Sequence, residues 1–374
     1  MARVLWFSIE TPDRDGQGGQ RRQFHQIREL GRLGHDVTVL TPHGSQPSAS
    51  IREVARVVRV RTAIRGRGAS WGNRRLRRLF LQGGWDAVIV SHIESARLLP
   101  HPDSVPVPVL VDVHNVMSRW HETRGERRQA DEAREAEDAV VSHVDAVTTC
   151  SEVELRRLLT AHPEAAGRSF AAPLGVDPAE WTDRPLSRDE PVVALFGSWG
   201  WHPNAQGLAW FAREVWPAVR ALFPGARAEV AGATGDGLDL PDGMTSVGRV
   251  PDLAAFLARA TVVAVPVRDG VGGAVKFAEA LASGAAVIAT ADGANAFGET
   301  PAFVSDDAHA WATWIADRLE HRREEPAPAA GRAFALSELT WRRAVLPLHA
   351  WLSSHAPRDG AHPTPSSEGQ QQYA

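Results

Sequence analysis

Lysine and arginine together number 41 in this 374-residue chain, and only one of them, Lys276, is lysine. It lies in the run VRDGVGGAVKFAEALASGAAVIAT, after Gly270, Gly272 and Gly273 and three residues before Glu279. Glycines without a Cβ let backbone approach a ligand closely. A helix starting near Ala274 would aim its free N-terminal amides at that loop. Its dipole would favour a phosphate by roughly 0.3–1 kcal/mol before direct hydrogen bonds form. Lys276 and Glu279 would share one helix face, with Phe277, Ala280, Leu281 and Gly284 on the packed face. One face thus offers a cation suited to a diphosphate and a carboxylate suited to sugar hydroxyls. The same spacing also suits an exposed ion pair worth a few tenths of a kcal/mol, and a lone lysine suits Schiff-base chemistry with pyridoxal phosphate.

Other residues stand where ligands of open α/β sheets bind, outside the carboxyl ends of strands. His114 ends the strand-like VLVDV run and is followed by Asn115 and Arg119. Gly18 and Gly19 stand between the first strand and first helix, flanked by Gln17 and Gln20. Asn204 follows Pro203 and reads as a helix cap. Trp199 and Trp201 suit stacking on a ligand or packing. Cys150 closes another strand-like run and reads as a small buried residue. No Asp-x-Asp follows a strand and no His/Cys ligand cluster is spaced for a metal, so none is expected. Arg52–Arg78 carries ten arginines against one acid, Glu53. That charge suits a phosphorylated ligand, an anionic membrane surface or an ordinary solvated loop. It comes with no nucleic-acid-binding motif.

The elements that must position these residues follow a β-α rhythm. Short apolar runs (RVLWFS, HDVTVLT, VVRVRT, DAVIVS, VPVLVDV, DAVTTC) alternate with helix-period stretches, including one with Phe24, Ile27, Leu30 and Leu33 on a stripe. A long charged helix is expected over Ser118–His143. The Pro- and Asp-rich stretch Ala171–Pro191 breaks the rhythm, which then restarts with VVALFG and runs through two closing helices near Asp306–Arg323 and Pro328–Ser353. Such alternation predicts parallel sheets covered by helices on both faces. Hydrophobic content of 43%, charged content of 23% and a net charge of −4 suit a soluble globular protein without an overall pull towards nucleic acid. One cysteine permits no internal disulfide and suits a reducing compartment. No signal peptide or membrane span is legible, so a cytoplasmic protein is expected.

The Gly272, Gly273, Lys276, Glu279, Ala280, Ala282, Gly284 pattern resembles the donor-site motif of retaining glycosyltransferases of family 4, which have the GT-B fold. It is most similar to the branch whose motif runs Gly-Gly, a few residues, Lys-x-x-Glu-Ala. The stretches GQGGQRRQFHQIRELGRLGHDVTVLT, VDVHNVMSRW, CSEVE, FGSWGWHPNAQGLAWFAREVWPAVRALFPGA and VGRVPDLAAFLARATVVAVPV resemble family landmarks in the same order. Most of residues 1–350 is covered. The chain departs from the family at three places: Val271 stands at the first glutamate of the usual pair, GSWGWHPN replaces the usual Arg and Lys after the first C-terminal-domain strand, and Leu174 replaces the linker asparagine.

The resemblance implies an α/β fold of two Rossmann-like domains facing across a cleft, with a C-terminal helix returning to the first. The expected segments are an acceptor-side domain (1–172), a linker (173–190), a nucleotide-sugar domain (191–335), a closing helix (336–355) and a disordered tail (356–374). It implies sugar transfer from a nucleotide-diphosphate sugar, a co-substrate rather than a cofactor, to an acceptor hydroxyl with retention and without a metal. His114, Lys276 and Glu279 would be catalytic. Gly18, Gly19, Gly197, Ser198, Gly272, Gly273 and Ala274 would join Lys276 and Glu279 in binding the donor. His25, Asn115 and Arg119 would lie on the acceptor side. The acceptor would be phosphorylated, lipid-linked or a small natural product, with peripheral contact at the inner membrane face. Two other readings share the fold: a nucleotide-sugar 2-epimerase and a non-catalytic nucleotide-sugar-binding partner. A dehydrogenase is disfavoured because GQGGQRRQ lacks the dinucleotide fingerprint.

Overall fold

A computed structural model of the chain describes residues 1–42, 46–60, 78–81, 83–97, 105–181, 190–232, 239–270, 272–322 and 329–355. Two wholly parallel sheets form. The first orders its strands β3-β2-β1-β4-β5-β6-β7: β1 is Arg3–Phe7, β2 Asp36–Pro42, β3 Arg56–Val60, β4 Ala87–Ser91, β5 Val109–Val113, β6 Ala146–Thr149 and β7 Ser169–Ala171. The second runs β10-β9-β8-β11-β12-β13, from β8 Val192–Phe196, β9 Arg227–Ala231, β10 Met244–Gly248, β11 Val262–Val265, β12 Ala286–Ala289 and β13 Phe303–Val304. Parallel neighbours need crossover helices, which cover both sheet faces. The central strands are accordingly largely apolar: AVIVS, VLVDV and VVALF are buried at every position. Along β1 the side chains alternate between layers. Leu5 and Phe7 enter one core with Val88, Val90 and Val111. Val4 and Trp6 enter the other with Phe24, Ile27 and Leu30 of helix Gly18–Arg32.

Two helices differ from the sequence expectation. The charged segment Ser118–His143 divides into Met117–Thr123 and Arg127–Val141, with the chain left-handed at Gly125 between them. The last helix divides into Ala329–Glu338, Trp341–Ala344 and Leu346–His355. The break falls where the linker pairs with the returning chain: Val176 N donates to Leu339 O at 2.7 Å, and Trp341 N donates to Val176 O at 3.1 Å. Ala335 still packs in the second domain. Beyond the break, Val345, Leu348 and Leu352 join the core of the first. The C-terminal helix therefore returns across the molecule, anchored by Trp341, which is buried and stacks on His25 with ring centroids 4.9 Å apart. Linker residues 182–189, the tail 356–374 and most of the arginine-rich stretch lie outside the described residues.

Burial of histidines gives the fold an acid limit. Desolvation pushes His25 down to about 2 and His35 and His114 down to about 4. Below the ordinary value of about 6.5 the unfolded chain takes up these protons and the folded chain does not, so stability falls with pH, by about 2 kcal/mol per group at pH 5. His162 opposes this: burial lowers it, but the Glu137 hydrogen bond and charge raise it overall. Its contribution is full below the unfolded value and fades as pH rises through the folded one. The net expectation from three groups against one is a markedly lower melting temperature at pH 5 than at pH 7.5 by calorimetry. An unchanged value would show that these imidazoles are not held neutral.

Candidate functional site in the interdomain cleft

Strand order sets where the site forms. In each sheet the chain turns outward in opposite directions from two adjacent strands, β1 and β4 in the first domain, β8 and β11 in the second. Their carboxyl ends open a crevice at that point.

In the second domain, helix Val275–Ala282 starts after the glycine loop that follows β11. Its packed face is as expected: Phe277, Ala280 and Leu281 are buried. Lys276, half-buried, reaches across the switch point to the loop after β8. Its Nζ donates to Asn204 Oδ1 at 2.7 Å and lies 5.4 Å from the Trp199 ring centroid. A Cβ on Gly197 would fall 2.6 Å from that Nζ, so a side chain there would displace the ammonium. Desolvation pushes Lys276 down to about 7, against the opposing pull of the Glu279 charge. The expected capping role of Asn204 is thus corrected. Its amide donates to Ser198 O at 2.9 Å and its carbonyl oxygen holds the lysine. Trp199 is buried and donates to Ala231 O at 3.0 Å, forming the wall beneath the cation.

Glu279 does not pair with Lys276. Its Oε1 lies 2.5 Å from Arg21 Nη2, on helix Gly18–Arg32 of the other domain. Glu279 is 2% exposed, so the ion pair closes the cleft over it. Glu180, in the linker, faces the same pair, and burial raises its carboxyl above the ordinary range. Gly272 adopts φ +71, and a Cβ there would fall 2.2 Å from Asn115 Oδ1. The glycine loop of one domain therefore touches the segment after His114 of the other.

In the first domain His114 is held from below. Its Nε2 lies 2.9 Å from Ser91 Oγ and 3.3 Å from Asp112 Oδ2. A carboxylate only accepts hydrogen bonds, which assigns the ring proton to Nε2 and leaves Nδ1 as an acceptor towards Gly19, where a Cβ would sit 3.2 Å away. Asp112 is in turn gripped by Arg22, through Nε at 3.1 Å and Nη2 at 2.8 Å, both side chains being fully buried. Burial alone would raise the Asp112 carboxyl, but Arg22 and His114 outweigh it and hold it below the ordinary range.

The remaining candidates divide. Gly18 and Gly19 open the helix that carries Arg21 and Arg22, and Gln20 serves the loop, its Oε1 accepting from Gln17 N at 3.0 Å. Gly273 is packed against Leu174 and Ala296, with Ala274 next to it as the cap of the lysine helix. Arg119 pairs with Glu122 at 2.5 Å. His25, expected to face an acceptor, is instead 0% exposed between Phe24 and Trp341. Helical phase turns it into the core rather than the cleft. Trp201 is 41% exposed and stacks on Trp120 across the domains, ring centroids 6.2 Å apart. Cys150 is buried, its thiol pushed up to about 12 by desolvation, and its Sγ meets His114 O at 3.1 Å.

Sequence reasoning missed Arg21, Arg22, Asp112 and Glu180. Only the Asp inside the apolar VLVDV run was a signal, since a carboxylate in a fully buried strand needs a partner. It also found no ligand cluster, whereas the fold brings Asp138, His162 and Glu164 within 4.8 Å of one another. Asp138 belongs to helix Arg127–Val141, which precedes β6, whereas His162 and Glu164 follow helix Glu152–Ala161 and precede β7, so the cluster lies at the end of the sheet away from the cleft. No helix among the described residues is long and apolar enough to cross a membrane.

Known proteins share this fold. The family described as "Glycosyl transferase 4-like domain" matches residues 17–175, and "Glycosyl transferases group 1" matches residues 190–321. No curated protein sequence matches the chain. Among solved structures, sucrose-phosphate synthase from Thermosynechococcus elongatus superposes with a TM-score of 0.74 at 18% identity, covering 95% of this chain and 99% of that one. Anabaena HepE in complex with UDP-glucose gives 0.69 at 14%, covering 95% and 100%. A glycosyltransferase from Rickettsia africae gives 0.70 at 12%, covering 95% and 98%. The chain is thus a GT-B protein built from two glycosyltransferase domains, a glycosyl transferase 4-like domain followed by a group 1 domain.

Proposed function

We propose that the protein transfers a sugar from a nucleotide-diphosphate sugar to an acceptor hydroxyl, with retention of anomeric configuration and without a metal. The observation that carries this reading is Lys276, held by Asn204 at the switch point beside a glycine loop and a helix N-terminus. A cation, free amides and an enclosed surface together suit a diphosphate leaving group, which they would stabilise by position and charge. His114 Nδ1 would accept a hydroxyl of the transferred sugar, and Glu279 another. Arg21 supplies a second cation at the cleft, where the chain lacks the family's usual Arg and Lys. In transfer on one face, the acceptor oxygen bonds to the anomeric carbon as its bond to the phosphate oxygen breaks. That departing oxygen is also the nearest base for the hydroxyl proton. The bound UDP-glucose of HepE is a donor of the proposed class.

Nucleotide-sugars screened by thermal shift test this directly, because a ligand that binds only the native state raises its stability. The expected result is a raised melting temperature with a nucleotide-diphosphate sugar, then transfer in the presence of chelator giving a product whose anomeric configuration matches the donor. An epimerised nucleotide-sugar without acceptor would replace this reading with a 2-epimerase. Binding without turnover would replace it with a non-catalytic partner.

A further inference from the structure

The first domain has its own switch-point crevice, between β1 and β4, and of the groups around it the donor reading uses only His114 and the Gly18–Gly19 loop. Glu10 lies just past β1, His92 directly after β4 and His114 directly after β5, so three adjacent strands each deliver one polar group to the same end of the sheet. Glu10 Oε2 lies 3.0 Å from His92 Nε2. The His92 and His114 rings are 3.8 Å apart at their centroids. A Cβ on Gly19 would fall 2.9 Å from Glu10 Oε2 and 3.2 Å from His114 Nδ1. Glu10 and His114 therefore converge on the loop that faces the donor helix.

His92 is held at φ +72, a backbone conformation that side-chain-bearing residues rarely adopt. Among the described non-glycine residues only Asp269 also has a positive φ. Such conformations persist where surrounding structure enforces them, often at ligand sites. The Glu10 and His92 side chains remain 34% and 22% exposed, so both are reachable from the crevice. Burial would raise the Glu10 carboxyl, but the hydrogen bond and charge of His92 and the charge of His114 lower it overall. It is an anion at neutral pH. The buried Arg22 cannot offset that charge, because Asp112 already engages it.

We propose that Glu10 and His92 form the acceptor subsite, Glu10 accepting a hydrogen bond from the acceptor's hydroxyl and His92 fixing the carboxylate, so that the acceptor is an uncharged polyol at its reacting end rather than a phosphate ester. An anionic group brought within a few ångströms of this carboxylate would be repelled, whereas a hydroxyl donates to it. The assignment rests on the sugar-transfer reading of the cleft, with Glu10 as a substrate-touching group and His92 as a positioning residue.

The test uses the full chain, the nucleotide-sugar that raises the melting temperature most, and matched acceptor probes: fructose, methyl α-mannoside and myo-inositol against fructose 6-phosphate, mannose 6-phosphate and inositol 1-phosphate. The readout is nucleoside diphosphate release above hydrolysis. At least one neutral probe should accelerate release, and its phosphate should be at least about tenfold poorer. Glu10→Gln should lower kcat/KM for the neutral acceptor by about a hundredfold, the loss of a charged hydrogen bond, with donor Kd changed by less than about twofold. His92→Gln should act mainly through acceptor KM. If Glu10→Gln does not fold, Glu10→Asp, which keeps the charge but retracts it, must still lower acceptor efficiency. Preference for a phosphate ester, no acceleration by any neutral probe, or wild-type kcat/KM in the Glu10 variants overturns the assignment. These outcomes leave the transfer reading standing if the wild type binds the nucleotide-sugar; failure of the wild type to bind any nucleotide-sugar removes both.

Discussion

Lys276→Ala is expected to weaken donor binding by roughly a hundredfold, about 3 kcal/mol, the usual scale for truncating one side of a desolvated charge pair. The structure gives this a pH signature. The free enzyme's ammonium is pushed down to about 7 by burial, and a diphosphate placed beside it must raise it again, since an opposite charge favours the protonated form. Binding therefore takes up a proton above pH 7. Donor affinity should be flat below that value and fall above it by up to about tenfold per pH unit. Calorimetry in two buffers of different ionisation enthalpy measures the uptake, and Lys276→Ala should abolish it. Lys276→Arg should not restore binding fully, because Gly197 and Trp199 leave the cation so little space. Affinity independent of pH, or unaltered by Lys276→Ala, would take the lysine out of the site.

Glu279→Gln has the second large effect, on both turnover and stability, and the two separate. With its carboxylate gone, Arg21, whose side chain is 21% exposed, loses a buried partner 2.5 Å from its guanidinium. An uncompensated buried charge costs about 3–5 kcal/mol, partly relieved if the cleft opens and Arg21 becomes hydrated. Turnover should fall by about two to three orders of magnitude if the carboxylate also holds the sugar in the transition state. The double variant Arg21→Met, Glu279→Gln decides between the roles. Removing both charges should recover most of the stability in a denaturant titration, since the buried pair is replaced as a unit. It should recover no activity. Recovery of activity alongside stability would make Glu279 a structural partner of Arg21 and nothing more.

The sequence alone determined the two parallel sheets, the placing of the glycine loop and Lys276 after a buried strand, and His114 at a strand's carboxyl end. Each is written locally, in apolar periodicity, in glycines before a helix, or in one residue's place at the end of an apolar run. Local reading also failed locally. It could not show that Gly125 divides a charged helix or that helical phase turns His25 into the core, because phase depends on which face a neighbour covers. What tertiary structure decided is which groups meet. Lys276 finds Asn204 72 residues away, Glu10 finds His92 across 82, and Arg22 finds Asp112 across 90. Glu279 spends its charge on Arg21 of the other domain rather than on the lysine one turn away. Strand order and the docking of two domains bring these partners together, and neither leaves a periodic trace in a single chain. A buried charge takes whichever partner the fold places within reach, because leaving it without one costs more than any local pairing preference supplies.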